Sequence, residues 1–376
     1  MKGIIRLIML VTLAVSLVLP VEAGAVSASA YCVMDSITGR VLYQSNADQQ
    51  MGMASTTKIV TAIVALEHAN LQDIATVSAK AANTEGSSLY LKAGEKITVE
   101  NLIYGLMLNS GNDAAVVLAE HIGGSVEGFA ALMNELAERV GAKDSHFQNP
   151  NGLDEEGHYT TAYDLALLTR YALKNETFQT IVSTKSRKIT TQDGRAIYLS
   201  NHNRLLGSLK GCNGVKTGFT KKTGRCLVSS VTRDGFQTIC VTLNAPDDWN
   251  DHKGLHEKAF GEYAMRKVVS EHQFVASIDV SDGVTDTLRT VTDGAAYLPA
   301  KEGEVLDLET VYELPQTIAA PVSEGQPIGR IKLYYHDALV ADLGVLAENS
   351  IEKEEKISYF DNLKIVLKNW LQLTWK

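Results

Sequence analysis

Apolar and polar positions along the chain change period several times. Residues 59–66, Ile-Val-Thr-Ala-Ile-Val-Ala-Leu, are apolar nearly all round and hold no Gly or Pro. That predicts a buried helix starting at or just before Ser55. Val99, Leu102, Ile103, Leu106 and Met107 form a helical stripe behind Thr98, a predicted N-cap. Asn109-Ser110-Gly111-Asn112 should break that helix, with a second over residues 113–121. Further helices are expected at 126–140, closed by Gly141, and at 161–173. Alternating positions predict strands at 30–35 and 40–43, and a hairpin over 185–202 around Asp193-Gly194. Strand patterns at 214–220, 225–232 and 236–243 read as an antiparallel meander, and shorter pieces stand at 88–91 and 96–99. A helix is expected from about His252 to Val269.

Beyond Val269 the pattern changes. Strand-sized pieces at 274–280, 288–291, 305–308, 317–321, 329–335 and 339–346 alternate with turn residues, which predicts a small all-β domain over 271–350. Residues 351–376 begin as a charged hinge and end helical in period. Phe360, Leu363, Val366, Leu367, Trp370, Leu371 and Leu373 fall on one face, and Asp361, Lys364, Lys368, Asn369, Gln372 and Lys376 on the other. This segment is too polar to span a bilayer. Residues 358–376 suit a helix lying in the membrane interface, with Trp370 and Trp375 at that depth.

Lys2 and Arg6 stand at the start of an apolar run that ends before Pro20, and small residues follow. The pattern predicts a secretory signal peptide over residues 1–28. The remainder, 29–270, then reads as the main domain. The 376 residues carry a formal net charge of -9, which argues against a general nucleic-acid binder but not against a local basic pocket. The four cysteines suggest no dense disulfide framework. A two-residue turn at Asp234-Gly235 would set Cys240 opposite Ser229 rather than Cys226, so free buried thiols are expected.

Chemistry concentrates in three short motifs. Lys58 follows Ser55 by one helical turn, so its amine can lie beside the Ser55 hydroxyl and activate it. Ser110 and Asn112 occupy a polar link between two apolar helices, and Lys216-Thr217-Gly218 lies on the strand leading the meander. Any one of these is common by chance; the order and the element types give the set its meaning. His252 and His256 have metal-ligand spacing, but no further ligand cluster is evident, and surface or structural histidines are expected.

The three motifs together resemble the active-site set of penicillin-recognising serine enzymes. Ser110-Gly111-Asn112, with Ala54-Ser-Thr-Thr-Lys58, Asn149-Pro-Asn-Gly-Leu153, Thr160-Thr-Ala-Tyr-Asp-Leu165 and Asn213-Gly-Val-Lys-Thr-Gly-Phe-Thr220, is similar to the D-alanyl-D-alanine carboxypeptidases of peptidase family S11. These are the low-molecular-mass penicillin-binding proteins. The resemblance implies an α/β (α+β) transpeptidase-like domain with an antiparallel sheet and a helical cluster, followed by the β domain and a C-terminal amphipathic helix. It implies Ser55 as nucleophile, Lys58 as general base and Ser110 as proton relay. Asn112, Lys216 and Thr217 would bind substrate, with Gly218 and Phe219 on the same strand and the oxyanion between the N–H groups of Ser55 and Phe219. The substrate would be a peptidoglycan stem peptide ending in D-Ala-D-Ala, with β-lactams as acylating inhibitors, at the outer face of the bacterial cytoplasmic membrane. No metal, cofactor or nucleic acid is implied. A class A β-lactamase would need Ser-Asp-Asn and a Glu-led loop, whereas Gly111 stands in the middle here. An arginine that some relatives carry beyond the Lys-Thr-Gly strand has no counterpart among residues 245–259. Lys221, Lys222 and Arg225 remain as cations that could complete a carboxylate site.

Overall fold

The computed structural model describes residues 26–336, 338–355 and 359–373. Most of the expected leader lies outside them, as do Ser358 and residues 374–376. Five strands build the main sheet: β1 (Ala30–Asp35), β2 (Val41–Ser45), β3 (Cys212–Thr220), β4 (Gly224–Arg233) and β5 (Phe236–Leu243), in the order β2-β1-β5-β4-β3. All neighbours run antiparallel, and β3 forms an edge.

Period-two alternation gives the two faces different partners. Cys32, Met34, Cys226, Val228, Ile239 and Val241 face the large core made with the helices. At its centre is the helix Lys58–His68, whose residues Lys58 to Ala65 are all buried, as its all-round apolar pattern requires. Leu227, Val231, Cys240 and Val33 face the other way, against Trp249, Leu255 and Phe260 of the helix Asp248–Glu262. The expected helices are present at Val99–Leu108, Asn112–Gly123, Val126–Val140 and Ala162–Ala172, and Thr98 caps the first of them by accepting from the Asn101 N–H.

Three expectations are corrected. Residues 88–91 are not a strand. Their Leu-Tyr-Leu alternation mimics one, but the Leu89 and Leu91 N–H groups donate to the buried Asp113 carboxylate instead of to a neighbouring strand. The helix carrying His252 and His256 stops at Glu262, not Val269. Tyr263–Val269 is a strand paired with Ala296–Lys301, a partner too distant in sequence to be read locally. Residues 305–308 are irregular, and the strand there is Glu309–Glu313. The other β strands, Phe274–Ser281, Thr287–Thr292, Thr317–Ala319, Pro327–Tyr335 and Ala338–Ala347, join it in a six-stranded sheet.

Ser229 does sit opposite Cys240, and all four cysteines are free thiols. Cys240 Sγ and one ring nitrogen each of His252 and His256 lie within 4.8 Å of one another, a third neighbour that sequence spacing did not reveal. Both rings are fully buried, and both nitrogens of each ring are engaged. The Ser229 hydroxyl joins His252 Nδ1 (2.6 Å) to His256 Nε2 (2.7 Å). Thr242 and Thr238 hydroxyls meet the outer nitrogens at 2.9 and 2.8 Å. This chain of hydrogen bonds fastens the helix to β4 and β5, and burial holds both imidazoles neutral, His256 down to about 3.

These histidines make stability depend on pH. In the unfolded chain a histidine takes up its proton near pH 6.5; His256 in the folded chain does so only near 3. Between those values the unfolded state binds more protons, so stability is full above pH 6.5 and falls as pH falls, by up to about 1.4 kcal/mol per unit for each such histidine. Urea melts of the parent and of His256→Gln between pH 7 and 4.5 should show a shallower pH dependence in the variant. Parallel curves would refute the assignment.

Candidate active site

Ser55 lies on a single 3-10 turn, Ala54–Thr57, that leads into the helix Lys58–His68. The turn is strained at its start, because Ala54 has a φ of 47°. Its carbonyl is held by the Thr57 hydroxyl at 2.8 Å. Gly152 backs onto the same carbonyl. A Cβ at Gly152 would stand 2.0 Å from Ala54 O, and its φ of 84° also suits glycine alone.

Lys58 is wholly buried, and its Nζ meets three oxygens: Ser55 Oγ at 2.9 Å, Asn112 Oδ1 at 2.7 Å and the Asn151 carbonyl at 2.5 Å. The amide of Asn112 cannot be reversed, since its Nδ2 donates to Glu85 O at 2.6 Å. Asn112 Oδ1 and Asn151 O can only accept. An ammonium would donate to all three oxygens; a neutral amine has two protons for the two acceptors and one lone pair left for the Ser55 hydroxyl. Burial is the main reason the Lys58 amine is held well below its usual range; Lys216 adds to this and Asp113 opposes it. Burial alone brings Lys216 down to about 7.

Asn112 begins the helix Asn112–Gly123, one residue earlier than expected, so it is helical rather than part of the link. Ser110 precedes it with a φ of 60° and is nearly buried at the cleft wall. The segment facing both is fixed by Asp113, which accepts from the Leu89 and Leu91 N–H groups and from the Ser88 hydroxyl.

β3 closes the other side. Lys216 and Gly218 point to the helical face, and a Cβ on Gly218 would lie 3.0 Å from the nitrogens of Ser55 and Thr56. Glycine therefore lets the strand approach the serine turn. Thr217 and Phe219 project to the opposite face, and Phe219 is 63% exposed. The resulting cleft has a volume of about 580 Å³; Ser55, Ser110, Thr217, Gly218 and Phe219 all line it. The structure thus brings every predicted site residue to one place. Lys58, Asn112 and Lys216 stand immediately behind its walls.

Sequence reasoning missed the second layer. Asn151 contributes a backbone carbonyl, which no side-chain motif announces, although the Asn149-Pro150-Asn151-Gly152 turn chemistry marks a constrained loop. His158 ties that loop to the serine turn. Gln148 N donates to its Nδ1 (3.0 Å), leaving its Nε2–H for Thr57 Oγ1 (2.9 Å). Burial, with His146 nearby, pushes His158 down to about 4, so it stays neutral.

The family model for D-alanyl-D-alanine carboxypeptidase matches residues 18–247, and the model for the C-terminal domain of penicillin-binding protein 5 matches 263–353. The chain is 32% identical over 342 residues to the D-alanyl-D-alanine carboxypeptidase DacF of Bacillus subtilis (89% of this chain, 87% of that protein). It is 31% identical over 349 residues to DacC of Escherichia coli, covering 89% and 86%. Among solved structures, penicillin-binding protein 5 from Haemophilus influenzae superposes with a TM-score of 0.64 at 26% identity, over 87% of this chain and 98% of that one. With both family models in sequence order, and with the serine, lysine and Lys-Thr-Gly strand drawn together in one cleft, the chain belongs to the D-alanyl-D-alanine carboxypeptidases, the low-molecular-mass penicillin-binding proteins of peptidase family S11.

Proposed function

We propose that Ser55 is the nucleophile of this serine carboxypeptidase and attacks the carbonyl between the last two D-alanines of a peptidoglycan stem peptide. The observation carrying this reading is the 2.9 Å contact between Ser55 Oγ and the Nζ of Lys58, a wholly buried amine that burial holds well below its usual range. Two acceptors consume the protons of a neutral amine, and the lone pair is left for Ser55 O–H. Lys58 takes the hydroxyl proton as the Oγ–C bond forms. Ser110, across the cleft, passes a proton to the departing D-alanine nitrogen. The second proton of Asn112 Nδ2 is available to the substrate carbonyl, and Thr217, with Lys216 behind it, meets the terminal carboxylate. The N–H groups of Ser55 and Phe219 receive the oxyanion. Water then attacks the ester on Ser55, with Lys58 again the base. A β-lactam would acylate the same hydroxyl.

The signal peptide (1–28), main domain (29–270), β domain (271–350) and hinge with anchor (351–376) make this an exported enzyme held at the outer face of the cytoplasmic membrane. Supporting the anchor, the helix Tyr359–Leu373 keeps Leu363, Val366, Leu367 and Trp370 exposed. Among the described residues no single helix is long and apolar enough to cross a membrane.

Full-length protein incubated with a fluorescent penicillin and with diacetyl-Lys-D-Ala-D-Ala should give an adduct on Ser55 and free D-alanine. Ser55→Ala should abolish both, and Lys58→Ala should slow acylation by about 10²–10⁴-fold. An adduct that persists in Ser55→Ala would sink the assignment.

The electrostatics can be tested separately. Lys216 is charged below about pH 7 and there opposes a proton on Lys58. Activity should rise with pH as Lys58 loses its proton. Lys216→Ala removes the neighbouring charge, so the Lys58 pKa should rise and the acid limb of the acylation profile should move to higher pH. A limb that stays in place or moves down would rule out the coupling.

For the anchor, flotation with liposomes should carry the full-length protein and leave behind a version lacking residues 358–376. Equal flotation of the two would exclude the helix as the anchor.

A further inference from the structure

The cation that meets the free carboxylate of the substrate can be sought among the groups that line the cleft. Lys216 is 1% exposed and turned to the helical face, with its amine on the Thr217 carbonyl. Lys222 lines a separate cavity with Met51, Gly152 and His158. Arg204 and Arg225 line the cleft itself.

These two arginines are held differently. Arg204 precedes the short helix Leu205–Ser208, is exposed, and makes no ion pair among the described residues. Arg225 lies on β4 directly opposite Phe219. It therefore shares a sheet face with Thr217 and Phe219, and diagonal neighbours on one face stand roughly 7–8 Å apart, within the span of an arginine side chain. Its Nε and Nη2 are engaged by Asp248 Oδ1 at 3.1 and 2.8 Å, and Nη2 also reaches Oδ2 at 3.0 Å. The Trp249 ring centroid is 5.8 Å from Cζ. Asp248 is 3% exposed at its side chain, whereas Arg225 is 41% exposed. One edge of the fork is thus fixed by a buried carboxylate, and Nη1 has no hydrogen-bond partner among the described residues. A guanidinium oriented in this way presents a planar donor to a second carboxylate.

We propose that Arg225, on the strand beside Lys216-Thr217-Gly218, is the specificity-determining cation that binds the free carboxylate of the substrate's last residue, and that Asp248 is its positioning residue. This rests on the proposed reading of Ser55. Thr217 lies along the same row, so hydroxyl and guanidinium address the carboxylate together. Asp248 offsets part of the arginine's charge while fixing its plane against Trp249, so selectivity comes from orientation as well as from charge.

The test compares the full-length enzyme on diacetyl-Lys-D-Ala-D-Ala and on the same peptide ending in a carboxamide. Arg225→Met should lower kcat/KM for the acid by about 10- to 100-fold, mainly through KM, and for the amide by less than about threefold. Arg225→Lys should recover part of the loss. Because Arg225→Met leaves Asp248 buried without its partner, the double variant Arg225→Met/Asp248→Asn serves as a second arm and should show the same acid-selective loss. Asp248→Asn alone should reduce the acid-over-amide ratio less than Arg225→Met does. Equal losses on both peptides, or a collapse of the ratio in Arg204→Ala with little change in Arg225→Met, would overturn the proposal while leaving Ser55 as nucleophile. Failure of the parent to release product from either peptide would overturn both readings.

Discussion

One buried amine organises the molecule. Lys58 Nζ touches Ser55, Asn112 and the Asn151 carbonyl, and each comes from a different part of the chain. An ammonium fully out of water is costly unless it is compensated, so the folded state favours the neutral base. The Ser55 contact is local, one turn away, but those to Asn112 and Asn151 have to be assembled by tertiary structure, and much of the main domain serves that assembly. The helical core buries the lysine, the 3-10 turn aims the serine, and the first turn of the helix Asn112–Gly123 delivers Asn112.

Strain collects at the same place. Ala54 and Ser110 both have positive φ, a conformation that costs non-glycine residues on the order of 1–3 kcal/mol each. Both stand one or two residues from a group that contacts Lys58. They persist because their neighbours are over-determined. Gly152 and the Thr57 hydroxyl lock Ala54, while Asp113 holds the segment facing Ser110 through two backbone N–H groups and a serine. Asp113 thus does two opposed things. It orders the loop over the site, and its charge favours a proton on Lys58, against burial and Lys216. Burial is the largest of these influences, so Lys216 is a secondary contributor to the neutrality of Lys58 rather than its main cause.

Side-chain chemistry at fixed spacing was legible in the sequence. Ser55 and Lys58 one turn apart, the helix break at Ser110 and the strand carrying Lys216 each follow from local rules. What stayed hidden has a common physical character: it depends on partners far away in sequence. The Asn151 carbonyl carries no residue signature. Residues 88–91 alternate like a strand, yet their N–H groups are used by a carboxylate on a helix. The end of the helix at Glu262 is decided by pairing with Ala296–Lys301. The spacing of His252 and His256 does not tell a surface pair from a buried one, and what it serves is a buried hydrogen-bond chain through Ser229, beside Cys240.

The edge strand β3 separates chemistry from recognition by its pleat. Lys216 and Gly218 face the serine turn, while Thr217 and Phe219 face the wall that carries Arg225, Asp248 and Trp249. A slip of one residue would exchange the two sets, because side chains alternate with period two. Register is therefore part of the site, and the structure fixes it at the end of the motif and just beyond it. Gly218 is the one position where the strand meets Ser55 N and Thr56 N too closely for a Cβ to be comfortable. At the tip, the Thr220 and Thr223 hydroxyls both donate to Asp154, at 3.0 and 2.8 Å. Asp154 lies three residues beyond Asn151, so the loop that supplies the carbonyl to Lys58 also pins the strand that holds Lys216. Base and recognition strand are thereby set by one loop, and a displacement of that loop would disturb both together.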